Sequence, residues 1–131
     1  MNLKLLHWKV IVIFFLVSCN QKALDQCYFS LKGFDSQSWK MDSIACNGYR
    51  KDTYTLLTDS SEDMVGLSRC QIIQFLGKPN RRYVRDGEKF YYWIEPGAQC
   101  LPIKKDTLYL SKFYLLFDSE SKVYESGVII P

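Results

Sequence analysis

The side chains that could do chemistry here are five cysteines and one histidine, and their placement excludes more than it permits. His7 lies in the basic N-terminal segment ahead of a short apolar run, so a chain cut after that run carries no imidazole. The usual general base and the commonest metal ligand then go together. Cys27, Cys46, Cys70 and Cys100 follow one another at separations of 19, 24 and 30 residues. That spacing contains no Cys-x-x-Cys, so neither a redox motif nor a zinc knuckle is written here. Ser60, Ser61 and Ser68 have no base to activate them, and Ser68 reads as a helix cap. Glu62 and Asp63 are neighbours in one polar stretch, which does not make a convergent carboxylate pair. Gly77-Lys78 imitates the end of a phosphate loop, but Pro79 stands where Ser or Thr is required and no strand leads in. Cys70, near a helix start where the dipole lowers a thiol pKa, is the remaining candidate nucleophile, with a disulfide as its competing use.

Cys19 belongs to different chemistry. Lys4 and Lys9 precede the apolar run Val10–Val17, which is far short of the ~20 residues of a membrane-spanning helix. Leu16-Val17-Ser18-Cys19 then matches the lipobox, Leu-(Ala/Ser/Thr/Val)-(Gly/Ala/Ser)-Cys, at all four positions. A short apolar core behind basic residues is a signal-peptide pattern. The expectation is an export signal over residues 1–18, removed once the Cys19 thiol carries diacylglycerol, with the new amino group acylated by a palmitate-type chain. Each buried methylene contributes ~0.8 kcal/mol, and two or three chains hold where one does not. Residues 19–35 read as a lipidated tether whose aromatic end (Tyr28, Phe29, Phe34) can dock on the domain of residues 36–131. Asn20 favours the outer membrane, with the domain facing the periplasm.

Losing Lys4 and Lys9 from 17 basic residues against 14 acidic ones leaves the domain nearly neutral. Nothing in that balance is a footprint for nucleic acid. Arg81, Arg82 and Arg85 form one local basic group beside a turn, read as a solvated edge strand or as a weak contact for acidic lipid headgroups.

Hydropathy patterning supplies the elements. Ser36 or Ser38 can cap a short helix carrying Trp39 and Ile44 that ends at Asn47-Gly48. A second helix runs from Arg50 to about Thr58, and Asp59–Asp63 is a polar loop. The best-marked helix has Ser68 as N-cap, Leu67 and Ile72 as a hydrophobic staple, and Phe75 and Leu76 on its apolar face. Gly77 closes it in a left-handed conformation and Pro79 stops it. Then come strands: Arg82–Arg85 paired with Lys89–Glu95 across a two-residue Asp86-Gly87 turn. Thr107–Phe117 follows, with Tyr109, Phe113, Leu115 and Phe117 on one face, and Lys122 to about Ile129 is last. The sum is a two-layer α+β domain, two or three short N-terminal helices packed on an antiparallel sheet of about four strands. In the second strand Phe90, Tyr92 and Ile94 face the helices, which leaves Tyr91 and Trp93 on the other face as candidate binding residues. Four cysteines in an oxidising compartment allow three connectivities. With Cys46 at the first helix end and Cys100 in the Pro96-Gly97 loop, a Cys46–Cys100 disulfide is expected. No pairing is assigned to Cys27 or Cys70.

Gly66-Leu67-Ser68, a helix with buried Ile72, and Leu76-Gly77-Lys78-Pro79 together resemble the signature of the SmpA/OmlA, or BamE-like, small lipoproteins. Tyr91-Tyr92-Trp93, Phe117-Asp118 and Lys122-Val123 match the strands that follow in that family. The resemblance covers roughly residues 60 to 130. Leu67 stands where methionine is usual, and Trp39–Arg50 with Cys46 lies outside the enteric pattern, which points to an uncharacterised branch. It implies a role in outer-membrane β-barrel assembly or envelope integrity through partner lipoproteins and phosphatidylglycerol.

The function expected is thus a lipid-anchored, non-enzymatic envelope protein, a binding or scaffold module that binds a protein partner or lipid and needs no cofactor or metal. The alternatives are an inhibitor or immunity-type lipoprotein that binds a secreted enzyme, and a thiol enzyme using Cys70.

Overall fold

In a computed structural model, residues 26–102 and 109–131 are described. The lipidation site Cys19, and the segment of residues 1–25 around it, lie outside the described residues. Among the described residues four α-helices precede a four-stranded sheet: α1 Ser36–Met41, α2 Tyr49–Asp59, α3 Ser61–Met64 and α4 Arg69–Leu76. The strands are β1 Arg81–Tyr83, β2 Glu88–Trp93, β3 Lys112–Phe117 and β4 Val123–Ile129. They pair antiparallel in sequence order, β1-β2-β3-β4. This is the α+β architecture of helices on one sheet.

Local chemistry sets the helix boundaries. Ser68 caps α4 through a complete capping box: its side chain accepts from the Gln71 N–H, and the Gln71 side chain accepts from the Ser68 N–H at 2.9 Å. Such a cap contributes about 1 kcal/mol. Gly77 ends the helix at φ 79°, ψ −171°. The positive φ fits the expectation, but the ψ is extended and not left-handed helical, a combination almost confined to glycine. Asp35, and neither Ser36 nor Ser38, caps α1, because its carboxylate accepts from the Gln37 and Ser38 N–H groups. The Ser38 hydroxyl also donates to it at 2.6 Å, and these bonds hold the Asp35 carboxyl below its ordinary pKa. The helix stops at Met41, short of Ile44, and the chain turns through Ala45 at φ 58°. The Asp59–Asp63 stretch is helical: α2 runs to Asp59 and α3 begins at Ser61, burying Met64.

Strand alternation puts one face of the sheet against the helices. Phe90, Tyr92 and Ile94 are buried, as are Phe113, Leu115 and Phe117, and they meet Ile72, Phe75 and Leu76 of α4. The segment entering the domain packs on the same core. Phe29 and Phe34 lie edge-on and tilted against Phe75 at 4.9 and 5.0 Å between ring centres. Two disulfides clamp the edges of this layer, Cys27–Cys70 and Cys46–Cys100, across sequence separations of 43 and 54 residues. On chain-entropy grounds each contributes at most roughly 4 kcal/mol.

Two strand expectations change. The first hairpin pairs Tyr83 with Lys89 and Arg81 with Tyr91, so the reversal spans Val84–Gly87 and is longer than a two-residue turn. Asp86 and Gly87 both have positive φ there. A two-residue turn would have put Tyr83 opposite Phe90 and turned it inward; a shift of one residue flips every side chain. The third strand starts at Lys112, so Tyr109–Ser111, expected within it, precede it, and its expected start at Thr107 lies outside the described residues; Tyr109 is 74% exposed while Leu110 is buried. Leu110 packs over Gly97, where an added Cβ would come within 2.7 Å of it, so the approach to β3 follows the Pro96-Gly97 loop out of strand phase.

Candidate functional site

The face of the sheet away from the helices carries the candidate residues. Cross-strand partners share a face, so the register assigns it row by row. Arg81 lies opposite Tyr91, Tyr83 opposite Lys89, Trp93 opposite Lys112, and Lys112 opposite Ile129. Tyr91 and Trp93 are half-buried, with a contiguous groove of about 320 Å³ over them. Its apolar floor is Tyr83, Tyr91, Trp93 and Ile129, and its charged rim is Arg81, Arg85, Lys89 and Lys112. Among the described residues no carboxylate lines it.

The rings are ordered by one another and by the rim. Tyr83 meets Tyr91 edge-to-face with centres 5.6 Å apart. The Lys112 ammonium lies 5.6 Å from the centre of the Tyr91 ring, within cation–π range. On the same face, Glu125 accepts a 2.8 Å bond from the Tyr114 hydroxyl. That bond, helped by slight burial, raises the Tyr114 pKa.

The backbone under Trp93 is fixed from beneath by a buried polar latch. Trp93 N–H donates to Asn80 Oδ1 at 2.9 Å, and Trp93 C=O accepts from Arg50 Nη1 at 3.1 Å. Arg50 Nη1 also donates to Asn80 Oδ1 at 2.9 Å, and Arg50 Nε to Trp39 C=O at 3.1 Å. Asn80 Nδ2 donates to Ser43 C=O at 2.7 Å. Arg50 is 1% exposed, and burial pulls its pKa down to about 10, against an opposing pull from Asp42. Sequence reasoning used Arg50 only to mark a helix start. Its position one residue into α2, with no charged partner at helical spacing, gives no sign of burial.

The basic trio divides between the two faces. Arg81 and Arg85 reach the groove, whereas Arg82 ion-pairs with Glu88 at 2.6 Å and belongs to the other side. Arg69 of α4 completes that clasp on the Glu88 carboxylate and also donates to Ser121 Oγ at 3.1 Å. The solvated-edge reading holds, since β1 is an edge strand with all three residues exposed; Arg82 stays half exposed while its register opposite Phe90 brings it to Glu88.

Cys46 and Cys100 are joined to each other. Beside that bond Gln99 Nε2 donates to Ile44 C=O at 3.1 Å and Glu95 C=O at 2.9 Å, pinning the turn at the groove's far end. Cys70 is bonded to Cys27, so the reading of Cys70 as a reactive thiol is corrected: it has no thiol to offer in this state. Among the described residues no group of three or more His, Cys, Asp or Glu side chains is placed to hold a metal. No described helix is long and apolar enough to cross a membrane. No protein-family model matches the chain, and no curated protein or solved structure is significantly similar to it.

Proposed function

We propose that the protein is a lipid-anchored, non-enzymatic binding module of the cell envelope, tethered through Cys19 and engaging a protein partner with the outer face of its sheet. The observation that carries this reading is the groove over Tyr91 and Trp93, in a sheet whose other face is taken up by the helices. Half-buried Tyr and Trp side chains ringed by cations are the composition that anchors interfaces. Support for the anchor comes from Leu16-Val17-Ser18-Cys19 behind a short apolar core. Confinement to a membrane surface raises the effective concentration of a partner on the same surface, so a modest face is enough. The SmpA/OmlA resemblance over residues 60 to 130 suggests an outer-membrane setting, with a role in assembly or integrity.

The test replaces Tyr91 and Trp93 together by alanine and follows chemical crosslinking in intact envelopes. Crosslinked species should fall sharply while circular dichroism and the melting temperature change little. Unchanged crosslinking places the interface elsewhere, and loss of folding makes the two rings structural.

A further inference from the structure

We infer that the groove takes an extended, acidic segment of the partner that also presents aromatic or other apolar side chains, an inference that rests on the binding reading above. Charge complementarity comes first. Among the described residues the rim holds four cationic side chains and no carboxylate, although the domain as a whole is nearly neutral; Arg85 and Lys89, at the end beside Tyr83, suffice to meet the ligand's carboxylates. The cations have been gathered by register from separate strands: Arg81 from β1, Lys89 from β2 and Lys112 from β3.

Shape decides what kind of anion fits. From Arg81 on β1 to Ile129 on β4 the groove crosses three inter-strand spacings, about 14 Å at ~4.8 Å each. A compact anion such as a lone phosphate would be gripped by donors converging on one point. Here the Lys112 ammonium is occupied against the Tyr91 ring, and Lys89 stands beside Tyr83 at the opposite end. Charges distributed along an aromatic floor suit a ligand distributed in the same way. An extended peptide rises ~3.4 Å per residue, so about four residues span the groove. Successive side chains point to opposite sides, so apolar residues can face Tyr91 and Trp93 while intervening carboxylates lean toward the rim.

The test uses the full chain purified in a non-ionic detergent and fluorescence anisotropy of short labelled peptides. One peptide alternates glutamate with tryptophan, and its twin carries lysine in place of glutamate. The acidic peptide should bind, weaken with added salt, and lose about tenfold or more in affinity to Arg85→Glu or Lys89→Glu at unchanged melting temperature. The lysine twin should not bind. Equal binding of both peptides, or acidic-peptide binding that neither charge reversal weakens, overturns the inference. So does tighter binding of a single-stranded oligonucleotide or of a soluble short-chain anionic phospholipid. Envelope crosslinking that needs Tyr91 and Trp93 but ignores Arg85→Glu and Lys89→Glu would overturn the acidic partner while leaving the face as the interface.

Discussion

The guanidinium of Arg50 lies 4.6 Å from the centre of the Trp39 ring. Both residues are fully buried, and through Asn80 and the Trp93 carbonyl this pair reaches the strand end that forms the groove floor. A helix residue thereby positions a residue of the opposite face. Arg50→Met would leave Asn80 Oδ1, Trp39 C=O and Trp93 C=O short of a donor beside the buried Asp42. Leaving a buried acceptor without its donor costs about 1–3 kcal/mol. Arg50→Lys keeps the charge but loses the planar fork and should recover only part of that. Urea denaturation midpoints measure both, and a midpoint for Arg50→Met equal to wild type would show the latch to be idle.

Gly77 supplies a second prediction. At φ 79° it sits where side-chain-bearing residues are strained, and an added Cβ would approach Lys40 Cγ to 3.1 Å. Gly77→Val should destabilise by more than the ~1 kcal/mol of an ordinary helix-propensity change, because a β-branched residue fits positive φ badly. Lys40 can swing aside, so the backbone strain dominates. An unchanged denaturation midpoint would contradict the boundary.

Two tyrosines predict the alkaline response. Burial pushes the Tyr92 pKa up, while its hydroxyl donates to Gly77 C=O at 2.9 Å; Tyr114 is raised mainly by its bond to Glu125. Unfolded tyrosines ionise near pH 10. Above that pH the folded state keeps protons the unfolded state has lost. The stabilisation from these groups is therefore complete below about pH 10 and lost as pH rises through their folded values. Phenolate absorbance of the folded protein should show a late-titrating fraction, and Glu125→Gln should shrink it. A single transition at the ordinary tyrosine value, in protein still folded by circular dichroism, would contradict this.

The parts of the fold legible in the sequence were those encoded locally. Ser68, Gln71 and Gly77 define α4 through bonds and backbone angles only a few residues apart, and alternation along Phe90–Ile94 separates the two faces of β2. Asp35 escaped because three side chains in four residues could cap α1, and only the carboxylate geometry chooses among them. Alternation read back from Phe113 misplaces Tyr109, because the phase of the chain ahead of β3 is set by Leu110 on Gly97, a non-local contact. The groove was legible as Tyr91 and Trp93 and no further. Tyr83 joins them because the hairpin shifts by one residue, and Lys112 because β3 is paired next to β2. Register fixes both, and neither motif nor composition carries it.

A protein partner seated on this face would be caught by site-specific photocrosslinking in intact envelopes. A photoreactive side chain is placed at Tyr91 in one variant and, as control, at exposed Glu62 on α3, on the opposite layer. A discrete crosslinked protein species is expected from Tyr91 and none from Glu62, with the Tyr91 species reduced by Arg85→Glu. A discrete species from Glu62 with none from Tyr91 would contradict it, because the partner would then lie on the helix layer and the groove would face only solvent.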